Sequence, residues 1–143
     1  MIAAAAHRDL RRMVAASLES LESTVLEFRR MLKDCPRTDC PGRDAFAAEL
    51  LLREALTNSV CHACGRDPRR LISVFIRLRG DRFTLVVRDD GAGFDWRTEL
   101  NHNALDGDVG GRGLAIYRAY ADRIRFNRKG NQLILVRRFS RSK

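Results

Sequence analysis

The sequence has no apolar run long enough to cross a bilayer, so no transmembrane helix is expected. The opening Met1–Ala6 is small and apolar but too short for the apolar region of a secretory signal, and no cleavage pattern follows it. A cytoplasmic protein is therefore expected. Cysteine is scarce. Cys35, Cys40, Cys61 and Cys64 are too few for a disulfide scaffold, and cytosolic thiols stay reduced. Internal repeats, low-complexity linkers and nucleic-acid-binding motifs are also missing, which leaves a single domain over 1–143 with a core from about residue 10 to 139.

What is present is an ordinary globular composition, with 45% hydrophobic residues in 143 and a strong excess of arginine. The net charge is +9 and the pI about 10.4. The arginines are spread along the chain as Arg11–Arg12, Arg29–Arg30, Arg69–Arg70, Arg137–Arg138 and Arg141. Such a surface can attract nucleic acid, a membrane or an acidic protein. Without an accompanying nucleic-acid motif, a solvated basic surface is the simpler expectation.

Hydrophobic periodicity places a strand over Leu10–Leu18 and a helix over Ser20–Lys33, with Ser20 or Ser23 as N-cap. The stretch Cys35–Gly42, with two prolines and a glycine, is a break. A long helix is expected from Arg43 to Cys64, ended by Gly65 and Pro68. Leu71–Arg79 and Arg82–Asp89 alternate as strands of a hairpin turning at Gly80–Asp81. Asp90–Gly111 lacks periodicity and is expected as a functional loop. A short helix over Leu114–Asp122 follows, then a hairpin of Arg123–Asn127 and Gln132–Phe139 around Lys129–Gly130. This order predicts an α/β (α+β) two-layer sandwich, a mixed, largely antiparallel sheet with helices on one face.

On the long helix, Ala45, Ala48, Leu52, Ala55, Leu56, Ser59 and Ala63 form the expected core stripe, while Glu49, Arg53 and Thr57 are expected to face solvent. Glu54 and Asn58 sit opposite the core stripe, sharing their face with Ala47, Leu51 and Cys61. A carboxylate and an amide at i and i+4 among apolar neighbours suggest a pocket wall. The amide oxygen is a hard ligand suited to Mg²⁺, and the carboxylate can take a proton. In the strand Arg82–Asp89, Asp89 occupies a position of the apolar face Phe83, Leu85, Val87. Burying that carboxylate is costly unless a ligand donor meets it. Gly91 and Gly93 follow at once and permit close approach of a flat ring. Gly110–Gly111–Arg112–Gly113 before a helix presents free N–H groups and a positive dipole end to phosphate. Each motif alone also fits ordinary turn or surface chemistry. Cys61, His62 and Cys64 with Cys35 or Cys40 suggest a zinc site, but Cys61 and His62 are adjacent on a helix and point about 100° apart. Ordinary buried cysteines are the simpler expectation.

The order and spacing of Glu54-x-x-x-Asn58, Asp89-x-Gly91-x-Gly93 and Gly111-x-Gly113 resemble the N, G1 and G2 boxes of the GHKL (Bergerat-fold) ATPase superfamily. Glu49-Leu-Leu-Leu-Arg-Glu-Ala-Leu-Thr-Asn58, Asp89-Asp-Gly-Ala-Gly-Phe-Asp95 and Gly111-Arg-Gly-Leu-Ala-Ile116 are similar to the anti-sigma-factor serine/threonine kinases of that superfamily. The resemblance covers about Leu10 to Phe139. It implies that Asn58 binds Mg²⁺, Glu54 is the general base, and Asp89 accepts a hydrogen bond from the adenine amino group. Gly91 and Gly93 would shape the adenine pocket. Gly111, Arg112, Gly113 and Leu114 would lie beside the phosphates of ATP, under a lid of Trp96–Val109. The implied activity is phosphorylation of a serine or threonine on a small antagonist (anti-anti-sigma) protein, with a sigma factor as the regulated partner and homodimers common. Ala115 stands where the family commonly has a third glycine. The positive charge and the cysteines are not family features. A nucleotide-gated binding switch without phosphotransfer and a basic nucleic-acid-binding module are the alternatives.

Overall fold

The computed structural model describes residues 7–34, 42–91, 93 and 109–139. The expected break at Cys35–Gly42, apart from Gly42 itself, falls outside them, as do residues 96–108 of the expected lid.

The first element among the described residues is β1 (His7–Ala15), three residues earlier than expected at each end. Pairing with the later strand Leu71–Arg79 carries it back to His7, and Ser17 ends it by capping the next helix. Its hydroxyl accepts the Ser20 N–H at 3.1 Å, so Ser17, not Ser20, is the N-cap of α1 (Leu18–Asp34). The helix α2 (Gly42–Thr57) passes directly into a π-helical turn (Asn58–Ala63), where Cys64 N–H donates to the Ser59 carbonyl at 2.9 Å. Gly65 and Arg66 end it with positive φ angles of 58° and 60°.

Strands β2 (Leu71–Arg79) and β3 (Arg82–Asp89) have the expected bounds, joined by a tight turn with Gly80 at φ 60°. Helix α3 (Val109–Tyr120) begins earlier than expected. The glycines at 110, 111 and 113 belong to its first turns instead of preceding it, and it ends before Asp122. Strands β4 (Arg123–Phe126) and β5 (Gln132–Arg138) close the chain around Gly130, at φ 82°.

The sheet order is β1-β2-β3-β5-β4, and all four pairings are antiparallel. The expected mixed, largely antiparallel sheet is thus antiparallel at every pairing described. One sheet face sends Ile72, Ile76, Phe83, Leu85 and Leu135 into the core against the helices. Phe28 of α1 meets Phe83 with ring centroids 5.5 Å apart.

The long helix is buried on the expected core stripe and also on the opposite face that carries Glu54 and Asn58. Ala47 and Leu51 are as buried as Ala48 and Leu52. The reason is that α2 lies between α1 and α3 as well as on the sheet, so both flanks are covered. Nor do Glu49 and Arg53 simply face solvent. Glu49 pairs with Arg29, and Arg53 reaches Glu22 at 2.8 Å and Glu49 at 3.6 Å, which ties α2 to α1. Thr57 donates its hydroxyl to the Arg53 carbonyl at 2.7 Å. Arg137 is likewise drawn out of the basic surface. It turns inward to the fully buried Asp44 at 2.6 Å and to the Tyr120 carbonyl at 2.7 Å, joining β5 to the start of α2 and the end of α3.

Candidate functional site

A cavity of about 270 Å³ opens between the end of α2, the start of α3 and the ends of β3 and β5. Its apolar walls come from Ala55, Ala63, Val87, Leu114, Phe126 and Leu133. Its polar atoms come from few places: Asn58, Ser59 and His62 on the helix, Asp89 on β3, and Asn131 and Gln132 beside the last turn. Mostly apolar walls with a few convergent polar groups are the usual make-up of a small-molecule site.

Asp89 is placed as its strand pattern requires. It continues the inward face of Phe83, Leu85 and Val87 and is only 9% exposed. Burial pushes its carboxyl above the usual carboxylate range, and the Gly91 N–H, donating to Oδ1 at 2.7 Å, pulls against that shift. The Ser59 hydroxyl lies 3.5 Å from Oδ2, at the limit of a hydrogen bond. A buried carboxylate oxygen with so weak a partner is an acceptor suited to a ligand donor.

Glycine is needed at the next positions for contact as well as conformation. A Cβ on Gly91 would lie 2.7 Å from Asp89 Oδ1 and 3.2 Å from the Ala63 carbonyl oxygen. Gly93 has φ 82°, and a Cβ there would lie 1.8 Å from the Lys129 carbonyl oxygen. The Asp-x-Gly-x-Gly segment is therefore pressed between the π-helical turn and the final hairpin. That hairpin is shaped by Asn127, whose Oδ1 accepts the N–H groups of Gly130, Asn131 and Gln132 at 2.8, 3.0 and 3.1 Å.

Glu54 and Asn58 lie along α2 toward α3. Asn58 Nδ2 donates to Tyr117 Oη at 2.7 Å, which holds the amide and leaves its oxygen to face another group. Tyr117 is 2% exposed, and burial drives its hydroxyl far above the usual phenol range. Burial likewise raises the Glu54 carboxyl above its ordinary value, with the His62 charge acting slightly the other way. A raised carboxyl is better suited to holding a proton near neutrality. Gly113 joins the motifs. A Cβ on it would come within 2.8 Å of Asn58 Nδ2 and 3.2 Å of Glu54 Oε1. Only a bare backbone lets the first turns of α3, with their unpaired N–H groups, sit directly against both side chains.

Scanned against known protein families, residues 14–137 match the histidine kinase-like ATPase domain. The chain belongs to that family. A comparison with curated proteins finds no match. Histidine kinase-like ATPase domains form part of the GHKL superfamily, and the antiparallel sheet with helices on one face agrees with its Bergerat fold. The chain is accordingly an ATP-binding, ATPase-like domain.

Within this domain the structure brings Glu54, Asn58, Asp89, Gly91, Gly93, Gly113 and Leu114 to one region. Gly111 and Arg112 lie in the first turn of α3. Several residues around the cavity carry no motif in the sequence. Tyr117 could have been found as a phenol on the inward face of a helix, where a buried hydroxyl needs a partner. Ser59 and His62 follow Asn58 but become neighbours in the cavity wall through the π-helical turn, a feature common at functional sites. Arg70 donates to Asp90 Oδ1 at 3.0 Å and to the Ala63 carbonyl at 3.3 Å, bracing the ends of β2 and β3 below Asp89. Cys61 and Cys64 are free thiols, and among the described residues no cluster suited to a metal ion forms around them. Among the described residues no helix is long and apolar enough to cross a membrane.

Proposed function

We propose that the chain is an ATP-dependent protein serine/threonine kinase of the anti-sigma-factor type, acting on a small antagonist protein and sequestering a regulatory partner such as a sigma factor. The close approach of Gly113 to both Asn58 and Glu54 carries this proposal, because it joins two separately encoded motifs at one point. The residues fit a purine nucleotide. Asp89 offers a buried acceptor for the adenine amino group, and Gly91 and Gly93 keep the purine pocket open. Leu114 gives the pocket an apolar side. The N-terminal turn of α3, with Gly110 and Gly111, supplies N–H groups for phosphate, and Arg112 and Gly113 follow it along the helix. Asn58 offers a hard oxygen to Mg²⁺ while Tyr117 fixes its other end. ATP with its metal supplies the phosphoryl group and spreads the charge that develops on transfer. Glu54 takes the proton of the attacking serine or threonine hydroxyl, a role its raised pKa suits.

The test is to measure Mg-ATP affinity and phosphoserine or phosphothreonine formation on a co-purified antagonist for the parent, Glu54→Ala and Asn58→Ala. Glu54→Ala should bind as the parent does and lose transfer by about 10²–10⁴-fold, the span of general-base catalysis. Asn58→Ala should lose both transfer and the Mg²⁺ dependence of binding. A parent that binds ATP and phosphorylates nothing is a nucleotide-gated switch, and the kinase assignment fails.

A further inference from the structure

The sheet face turned away from the helices carries a charge pattern that the nucleotide site does not use. Side chains alternate along each strand, so the register places the outward residues in cross-strand rows. One row reads His7, Arg79, Arg82, Arg138, and its three arginines stand directly opposite one another on β2, β3 and β5. Like charges opposite each other destabilise a sheet. Among the described residues the side chains of Arg79, Arg82 and Arg138 form no ion pair that would relieve this row. Asp9 is the acid on the outer positions of these strands, and Arg77 already binds it at 2.8 and 2.9 Å.

The next row reads Asp9, Arg77, Thr84, Val136 and Arg123, and the row after it is apolar at its centre. Phe75, Val86 and Ile134 lie side by side on β2, β3 and β5, with Val136 beside them. Arg11 sits 4.3 Å from the Phe75 ring centroid, and Arg123 and Arg125 bound the band on β4. Beyond it stands Arg88, opposite Ser73, and Met13, 65% exposed, is opposite Ser73 on the other side. Arg79 and Ser73 are separated by about 20 Å along β2 at the rise of an extended strand. A helix of about 10–12 Å diameter fits in that interval.

We infer that this outer sheet face is the docking surface for an acidic amphipathic helix of a partner protein. The helix lays its apolar stripe across Phe75, Val86, Ile134 and Val136, and carboxylates on its flanks meet the Arg79–Arg82–Arg138 row on one side and Arg88 on the other. Apolar centres with arginine, aromatic and methionine residues around them are the composition of protein interfaces. A second copy of this chain fits poorly, because Asp9 is the one carboxylate its outer sheet positions could offer among the described strands, and Arg77 already binds it. Single-stranded nucleic acid needs a run of rings on which successive bases stack, and Phe75 is the one phenyl ring on the outer positions of the described strands. The inference concerns the side of the sheet away from the nucleotide cavity and does not depend on phosphotransfer.

The experiment titrates the full chain with a labelled synthetic helical peptide bearing leucines along one face and glutamates on both flanks. Binding is followed by anisotropy and located by backbone amide shifts in NMR. Parallel titrations use an oligothymidine, anionic lipid vesicles and the chain alone in sedimentation. The peptide should shift amides of β2, β3 and β5. Arg82→Glu with Arg138→Glu should weaken it by about tenfold or more, as expected when charges complementary to a partner are reversed. Arg30→Glu, on exposed α1, should change it by less than about threefold. ATP affinity should not fall in the double variant; its two introduced glutamates still face each other across β3 and β5, so its melting temperature is read beside that of Arg30→Glu. Equal peptide affinity in the two variants overturns the proposal. So does a footprint elsewhere, or an Arg82/Arg138 effect on oligonucleotide, vesicle or self-association in place of the peptide.

Discussion

A single methyl group at Gly113 tests whether the Glu54–Asn58 motif and the glycine motif of α3 form one site. An alanine Cβ there would lie 2.8 Å from Asn58 Nδ2, 3.2 Å from Glu54 Oε1 and 3.7 Å from Asn58 Cγ. Two effects on stability oppose each other. Helix propensity favours alanine over glycine by about 0.8–1.0 kcal/mol. Overpacking costs about 1–3 kcal/mol, and the lower end applies because the contacts are with side-chain ends that can move. As Asn58 moves it gives up its 2.7 Å bond from Nδ2 to Tyr117, worth about 1 kcal/mol. The fold should therefore lose only about 1 kcal/mol. Binding should suffer more visibly, since the proposed metal ligand is displaced. Mg-ATP affinity should fall about tenfold, equivalent to about 1.4 kcal/mol. Urea unfolding and calorimetry with and without Mg²⁺ separate the two effects, and Tyr117→Phe, which removes the same hydrogen bond without adding volume, should give part of the binding loss. If Gly113→Ala binds Mg-ATP with the parent's affinity and melts no lower, Gly113 is only a packing residue and the motifs do not act together.

Burial raises the carboxyls of both Glu54 and Asp89, so each stabilises the fold fully below its unfolded pKa and loses that contribution as pH rises through the raised native value. Thermal melts should therefore show Glu54→Gln gaining on the parent as pH climbs above the ordinary glutamate value of 4.5, with little difference below it. Arg77 lowers the Asp9 carboxyl by hydrogen bonding, so that contribution runs the other way and is lost as pH falls. Arg137→Met withdraws the guanidinium from the fully buried Asp44 and should cost about 3 kcal/mol in urea unfolding, with Asp44→Asn in the same chain recovering part of it. An Arg137→Met variant as stable as the parent would show that this pair does not fasten β5 to α2.

The strands were the most legible part of the fold. In β2 and β3 one face alternates cleanly with the other, and a glycine at positive φ fixes the turn, so pattern and backbone demand agree. Asp89 was legible for the same reason, as a charge breaking an apolar face. The helices were less so. Periodicity marks one apolar core stripe, whereas α2 is covered on both flanks; the apolar neighbours Ala47 and Leu51 of Glu54 and Asn58 were the sign of the second buried face. The π-helical turn after Asn58 left no mark in the sequence because it is a shift in backbone hydrogen bonding that many residue types accept. The glycines at 110, 111 and 113 read as a loop because glycine is a poor helix former, yet at 113 the close packing of α3 on α2 outweighs that propensity. Arg137 read as surface charge because its partner, Asp44, lies far away in the chain.

The proposed nucleotide site puts the adenine of ATP in the cavity beside Asp89. It is tested most directly by calorimetric titration of ATP into the parent chain and into Asp89→Asn, whose amide can turn its N–H₂ toward the ligand where the carboxylate offers an acceptor. The parent should bind ATP, and the folded variant should lose about 2–3 kcal/mol of binding free energy, the scale of a charge-assisted hydrogen bond. Equal ATP affinity in a well-folded Asp89→Asn chain would contradict the claim and remove Asp89 from the nucleotide site.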